Sequence, residues 1–202
     1  MSLFAAADAI GLVAFSVSGF LMGVRKGLDL LGVVIAAFLT ALGGGIMRDV
    51  IVGRTPVAFI ESSVLLYVIA GIVAAFLLRL QRREQIERYT LFILMDSIGL
   101  VAFAVTGALL GLSTGFNLFG VLLLAFITAV GGGMLRDIMV NEVPIVLTSD
   151  FYGSVALLAA FLIWGLHALH ALNSWTLLCV ALIALATRLV AYRRGWKLPR
   201  FR

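Results

Sequence analysis

Cysteine, histidine and charge are all scarce in this chain. Its one cysteine, Cys179, cannot close an internal disulfide, so no disulfide framework holds the fold. Cys179 sits in an apolar run and reads as a small packing side chain. The two histidines, His167 and His170, have no cysteine or carboxylate beside them, and no high-affinity metal site is expected there. Only 12% of the 202 residues are charged and 63% are hydrophobic, with a mean hydropathy of +1.17. A soluble domain is about half apolar and about a quarter charged. So few charges cannot cover so much apolar surface in water, and the bilayer becomes the expected solvent. Nothing in the chain forms a nucleophile–base pair, a P-loop or a metal-ligand cluster, so neither an enzyme nor a cofactor is expected.

The net charge is +5, but its placement argues against a nucleic-acid partner. Basic residues cluster between apolar runs, as in cytoplasmic loops that face anionic lipid heads. No basic segment precedes the first apolar stretch, and Asp8 lies within it, which disfavours a cleaved signal peptide. Apolar runs predict an all-α integral membrane protein with seven spans, near 4–24, 30–52, 63–80, 91–112, 118–140, 151–166 and 175–192. Arg25 and Lys26 follow the first span. Arg79, Arg82, Arg83 and Arg88 follow the third, and Arg188, Arg193, Arg194, Lys197, Arg200 and Arg202 are counted with the last. An outside N-terminus and a cytoplasmic C-terminus put all three clusters inside. The loop after the fifth span fits this least well, because it carries Glu142 and Asp150 with only Arg136 for balance. Trp164, Trp175 and Tyr192 suit interfacial anchors.

The chain repeats itself. Residues 8–59 align with 96–147 without a gap, at a constant offset of 88. Asp-Ala-Ile-Gly-Leu-Val-Ala-Phe from Asp8 matches Asp-Ser-Ile-Gly-Leu-Val-Ala-Phe from Asp96. Thr-Ala-Leu-Gly-Gly-Gly-Ile-Met-Arg-Asp from Thr40 matches Thr-Ala-Val-Gly-Gly-Gly-Met-Leu-Arg-Asp from Thr128, and Pro56 matches Pro144. Identity at roughly half the positions is far beyond chance for a self-match. The expected organisation is a three-helix unit at 1–88, a second at 89–172, and a seventh helix with a basic tail at 173–202. Three spans per unit force the second copy to enter the membrane in the opposite sense. That inverted plan is typical of transport proteins, whose pathway lies at the repeat interface.

Gly43, Gly44 and Gly45, and their counterparts Gly131, Gly132 and Gly133, are expensive inside a span, at about 1 kcal/mol each relative to alanine. Two explanations compete. The glycines break the helix, freeing carbonyls that can ligand a cation beside a watery path. Alternatively they only let helices approach closely. Occurrence in both copies, each followed by an embedded Arg-Asp, favours the break.

Arg48, Asp49, Arg136 and Asp137 are then candidate pathway residues. Neighbours on a helix point about 100° apart, so Arg48 is not expected to pair well with Asp49. Equal counting from the turn near Lys26 brings Asp8 level with Arg48, and the same count brings Asp96 level with Arg136, predicting those two pairs. Among the hydroxyls Ser16, Ser18, Thr40, Thr106 and Thr128, the two that precede a glycine triplet, Thr40 and Thr128, are the pathway candidates. Phe15 and Phe103 are repeat-related and could form an apolar constriction, although phenylalanine in a span usually just packs.

The duplicated Gly-Gly-Gly-x-x-Arg-Asp, at 43–49 and 131–137, resembles the prokaryotic members of the trimeric intracellular cation channel family, also described as a glycine transporter family. The resemblance covers nearly the whole chain. It implies a homotrimer with a pore for monovalent cations, potassium foremost and sodium as well, in each subunit beside the glycines of the second and fifth spans. The alternative is a secondary transporter of a small zwitterion such as glycine, held by half-helix ends at the breaks. Any bound metal would be a transient monovalent cation, and membrane lipids would be the other partner. Eukaryotic relatives carry a Lys-Glu-Val motif that this chain lacks.

Overall fold

A computed structural model describes residues 3–148 and 151–196, apart from the side chain of Arg88. Asp150, Lys197, Arg200 and Arg202, which entered the reading of loop charges, lie outside the described residues. The described chain is all-helical. Its helices are α1 (Leu3–Arg25), α2 (Leu30–Ile51), α3 (Ser62–Leu77), α4 (Gln85–Ser113), α5 (Leu118–Met139), the single turn α6 (Ile145–Thr148), α7 (Gly153–Ala168) and α8 (Ser174–Arg194). Five of them, α1, α2, α4, α5 and α8, are long and apolar enough to cross a membrane. The third and sixth predicted spans are apolar helices of only 16 residues each, short of the ~20 that a perpendicular crossing needs. This is a multi-pass membrane protein.

Local chemistry explains where the long helices begin. Asp29 and Asn117, one in each repeat, cap α2 and α5 by accepting from the backbone N–H of Gly32 (2.7 Å) and Gly120 (2.9 Å). The turns before them use Gly27 and Gly115 at positive φ, where a side chain would be strained. Asn173 and Thr176 form a reciprocal capping box at the start of α8.

The core is a four-helix cluster of α1, α2, α4 and α5, with α3 against α1, and α7 and α8 against the second repeat. Phe15 and Phe103 meet edge to face at its centre, with ring centroids 5.2 Å apart. A Cβ on Gly99 would lie 2.3 Å from Phe15 Cδ1, and one on Gly11 would lie 2.4 Å from Phe103 Cδ1. Each phenylalanine therefore occupies the notch that a glycine of the opposite repeat leaves. Residue 11 meets 103 while 15 meets 99, so α1 and α4 run antiparallel.

The glycine triplets correct the expected break. Helix α2 is continuous through Gly43, Gly44 and Gly45, and α5 through Gly131, Gly132 and Gly133. What the glycines provide is proximity. A Cβ on Gly44 would lie 2.1 Å from the Thr128 carbonyl oxygen, and one on Gly132 would lie 2.0 Å from that of Thr40. The helices cross backbone to backbone, and close packing repays the low helical propensity. Here too 40 meets 132 while 44 meets 128, so α2 and α5 are antiparallel.

Candidate functional site

Four residues beyond the crossing on each helix stands a buried arginine. Arg48 is only 2% exposed and Arg136 is fully buried. Since α2 and α5 cross antiparallel, the two guanidiniums lie on opposite sides of the crossing. The guanidiniums lie beside Gly45 and Gly133, the third glycine of each triplet: a Cβ there would be 3.7 Å from Arg48 Nη2 and 3.6 Å from Arg136 Nη2, ordinary contact distances.

Each arginine bridges two carboxylates. Arg48 Nη1 donates to Asp8 Oδ1 at 2.8 Å, and its Nε donates to Asp49 Oδ1 at 2.8 Å. Arg136 Nη1 donates to Asp96 Oδ1 at 2.5 Å, and its Nε donates to Asp137 Oδ1 at 2.9 Å. The pairing of Arg48 with Asp49, and of Arg136 with Asp137, overturns the expectation from helix angles. The 100° separation applies to the Cα–Cβ directions, and the long arginine stem can fold Nε back to the short neighbouring carboxylate. The far edge of the rigid guanidinium fork stays free for the second aspartate.

A hydroxyl from the other repeat completes each set. Thr106 Oγ1 accepts from Arg48 Nη1 at 3.2 Å, and Ser18 Oγ accepts from Arg136 Nη1 at 2.7 Å while donating to Asp96 Oδ1 at 3.1 Å. Ser18 and Thr106 are themselves repeat-related. Phe4 and Phe92, again a related pair, lie under the guanidiniums at 5.3 and 4.8 Å from the ring centroids, within cation–π range. The remaining aspartate oxygens anchor the chain after each helix: Asp49 Oδ2 accepts from Val57 N, and Asp137 Oδ2 from Ile145 N, both at 2.9 Å.

Thr40 and Thr128, the hydroxyls favoured from sequence, are instead spent on their own helices. They donate to the carbonyls of Ala36 and Leu124 at 2.6 Å and are completely buried. The triplet criterion passes over Ser18 and Thr106, because each precedes a single glycine, Gly19 or Gly107, and not a triplet. Their shared offset of 88 was the signal that could have found them.

The pseudo-symmetry fails at one loop. Arg54 donates to Asp49 Oδ1 through Nε (3.1 Å) and Nη2 (2.7 Å). The related position holds Glu142, which turns away and pairs with Lys26. The Lys26 ammonium holds the Glu142 carboxyl below its usual pKa. This contact places the loop after α5 at the same end as the loop after α1. Arg25 lies over the Tyr89 ring at 5.1 Å, and Tyr89 contacts Tyr192, so the start of the basic segment after α1, the end of the one after α3 and the end of α8 gather there too. Arg188, counted from sequence among the residues after the last span, is corrected: it lies within α8 and is buried.

Space is unevenly distributed. A cavity of about 20 Å³ touches Asp8, Gly45, Arg48, Asp49 and Phe103, room for about one water. A far larger cavity, about 630 Å³, lies at the basic end among Arg25, Tyr89, Phe92 and Tyr192, away from the glycine triplets. In this conformation the ionic cluster at Arg48 is closed to a hydrated ion.

Antiparallel, interlocked helix pairs with mirrored buried charge clusters define a duplicated helical membrane protein. A family model described as glycine transporter matches the chain twice, over residues 5–80 and 93–168. A UPF0126 membrane protein of Deinococcus radiodurans is 38% identical, covering 95% of this chain and 89% of that one. The inner membrane protein YadS of Escherichia coli is 27% identical, covering 96% and 94%. Among solved structures, a chain described under conductance through TRIC cation channels is 37% identical with a TM-score of 0.86, covering 100% and 98%. A TRIC trimeric intracellular cation channel orthologue from Rhodobacter sphaeroides is 32% identical with a TM-score of 0.88, covering 97% and 100%. The chain therefore belongs to the family of duplicated membrane proteins described both as glycine transporters and as prokaryotic TRIC channels. It is not an enzyme; the proteins it matches are membrane proteins and channels.

Proposed function

We propose that this protein is a passive channel for monovalent cations, potassium foremost and sodium as well, working as a homotrimer in the bacterial inner membrane. The observation that carries the reading is the pair of repeat-related Arg–Asp–Asp clusters on opposite sides of the α2–α5 crossing, in a fold shared with TRIC cation channels. Each subunit has its own pathway alongside the α2–α5 crossing, where Gly43, Gly44 and Gly45 and Gly131, Gly132 and Gly133 hold the helices together and Thr40 and Thr128 stay bonded to their own helices. Asp49 and Asp137 attract the cation. Arg48 and Arg136 bar the way at each face until their carboxylate partners release them, and Phe15 and Phe103 narrow the route between. Buried ionisable groups are costly in a membrane and are kept chiefly for such pathways.

In this reading the units at 1–88 and 89–172 are inverted and the chain crosses seven times, with α3 and α7 as short spans. The N-terminus is outside and the basic end, including the C-terminus, is cytoplasmic. Its basic residues face anionic lipid heads. The gathering of Arg25, Lys26 and the end of α8 at one end supports this orientation.

The family's description as glycine transporter supports a second reading, carriage of glycine. The half-helix ends expected to hold the amino acid are absent from the continuous α2 and α5, so Arg48 or Arg136 would have to bind its carboxylate. Purified protein in liposomes separates the two. Rapid, unsaturating potassium flux under an imposed potential is expected; saturable exchange of labelled glycine without current would overturn the channel.

A further inference from the structure

The two charge clusters are built alike but counted differently. In the first, Arg48 and Arg54 face Asp8 and Asp49, two positive against two negative. In the second, the ion pairs among the described residues give Asp96 and Asp137 one arginine, Arg136, because the position related to Arg54 holds Glu142. Asp96 and Asp137 are each only 1% exposed, so solvent cannot make up the difference. A buried cluster left with an unbalanced charge is strongly destabilised.

A third cation stands nearby, on a helix outside the repeat. Arg188 of α8 is 1% exposed, and its guanidinium lies 4.9 Å from the centroid of the Tyr152 ring. Tyr152 in turn reaches the cluster: a Cβ on Gly133 would meet its hydroxyl at 3.3 Å and Arg136 Nη2 at 3.6 Å. Asp96, Arg136 and Arg188 all lie within electrostatic reach of Tyr152. The first repeat has Val64 at the related position and so has no such relay.

We infer that Arg188 is the counter-charge of the second cluster, doing from α8, across Tyr152, what Arg54 does from the loop after α2. The eighth helix is then an electrostatic part of the site and more than a cap on the bundle. Arg188 acts on the pathway groups through Tyr152, as a positioning residue.

The symmetry supplies the test. The loops that carry Arg54 and Glu142 share one backbone bond, Arg54 N to Asp49 O at 3.0 Å and Glu142 N to Asp137 O at 2.9 Å. Glu142→Arg therefore introduces into the second repeat the solution used by the first. Thermal midpoints would be measured in detergent on the full-length protein for R188M, R188K, E142R and R188M/E142R. Loss of charge in R188M is expected to lower the midpoint by roughly 6 °C or more, the size expected for an uncompensated buried charge in a chain of this length. R188K is expected to keep most of it, and R188M/E142R to recover more than half of the loss. If R188M does not fold, folding of the double variant carries the same meaning. No recovery by E142R, or an R188K as impaired as R188M, would show that Arg188 acts by shape and would overturn the inference. The readout is independent of transport, so it stands or falls separately from the channel reading. Potassium flux in liposomes, run in parallel, should follow the same order.

Discussion

Substituting alanine through the glycine triplet tests the central correction to the fold. Gly44 and Gly45 are adjacent, in one continuous helix, and have the same intrinsic gain from alanine of about 1 kcal/mol. Their surroundings differ. At Gly44 the new methyl would sit 2.1 Å from the Thr128 carbonyl oxygen, a backbone atom that cannot rotate away. Ordinary contact begins near 3.4 Å, so α2 and α5 would have to separate by about 1.3 Å along that line. Over-packing of this kind costs about 1–3 kcal/mol or more, which exceeds the propensity gain. At Gly45 the nearest atom is Arg48 Nη2 at 3.7 Å, already ordinary contact. G44A is therefore expected to be destabilised by up to about 2 kcal/mol net, and G45A to be neutral or slightly stabilised. Thermal unfolding of both variants in one detergent measures the difference. Equal midpoints, whether both harmful or both harmless, would refute the reasoning, because the triplet would then act as a unit, as a helix break requires.

Asp96→Asn is expected to be more damaging than Asp8→Asn, since the Asp96 side chain is 2% exposed and that of Asp8 17%; breaking the fully buried pair should cost about 3–5 kcal/mol and the other less, read from chemical denaturation. Phe15→Ala and Phe103→Ala should each lose about 3–5 kcal/mol by the same measurement, because each empties a notch in the α1–α4 contact. Lys26→Gln should raise the Glu142 carboxyl pKa back toward its ordinary value, followed by carboxyl carbon NMR. Because the folded value is depressed, the stability from this pair is present above the unfolded pKa and is lost as pH falls through the folded one.

Much of this site is legible in the sequence. An offset of 88 relates the site residues of the first copy, Arg54 excepted, to those of the second, and counting from the turn near Lys26 places Asp8 beside Arg48. Depth along a helix is a linear quantity that a sequence carries. Angular position and the reach of a side chain are less so: Arg48 bonds Asp49 because its stem is long, which the angle between Cβ atoms does not register. Ser18 and Thr106 were missed for a related reason, since a hydroxyl's partner lies on another helix while its alternative, the carbonyl one turn back, lies on its own.

By itself the sequence determined the solvent, through composition, the duplication, through an ungapped self-match, and the residues whose burial in lipid demands a partner. Only the tertiary structure decided what the glycines are for. A glycine triplet is equally compatible with a break and with a close crossing, because both exploit the missing side chain. The choice depends on whether another backbone stands where the methyl would be, and the Thr128 and Thr40 carbonyls stand there. The same holds for Arg188, which reads as one more basic residue near a terminus until the packing of α8 buries it against Tyr152.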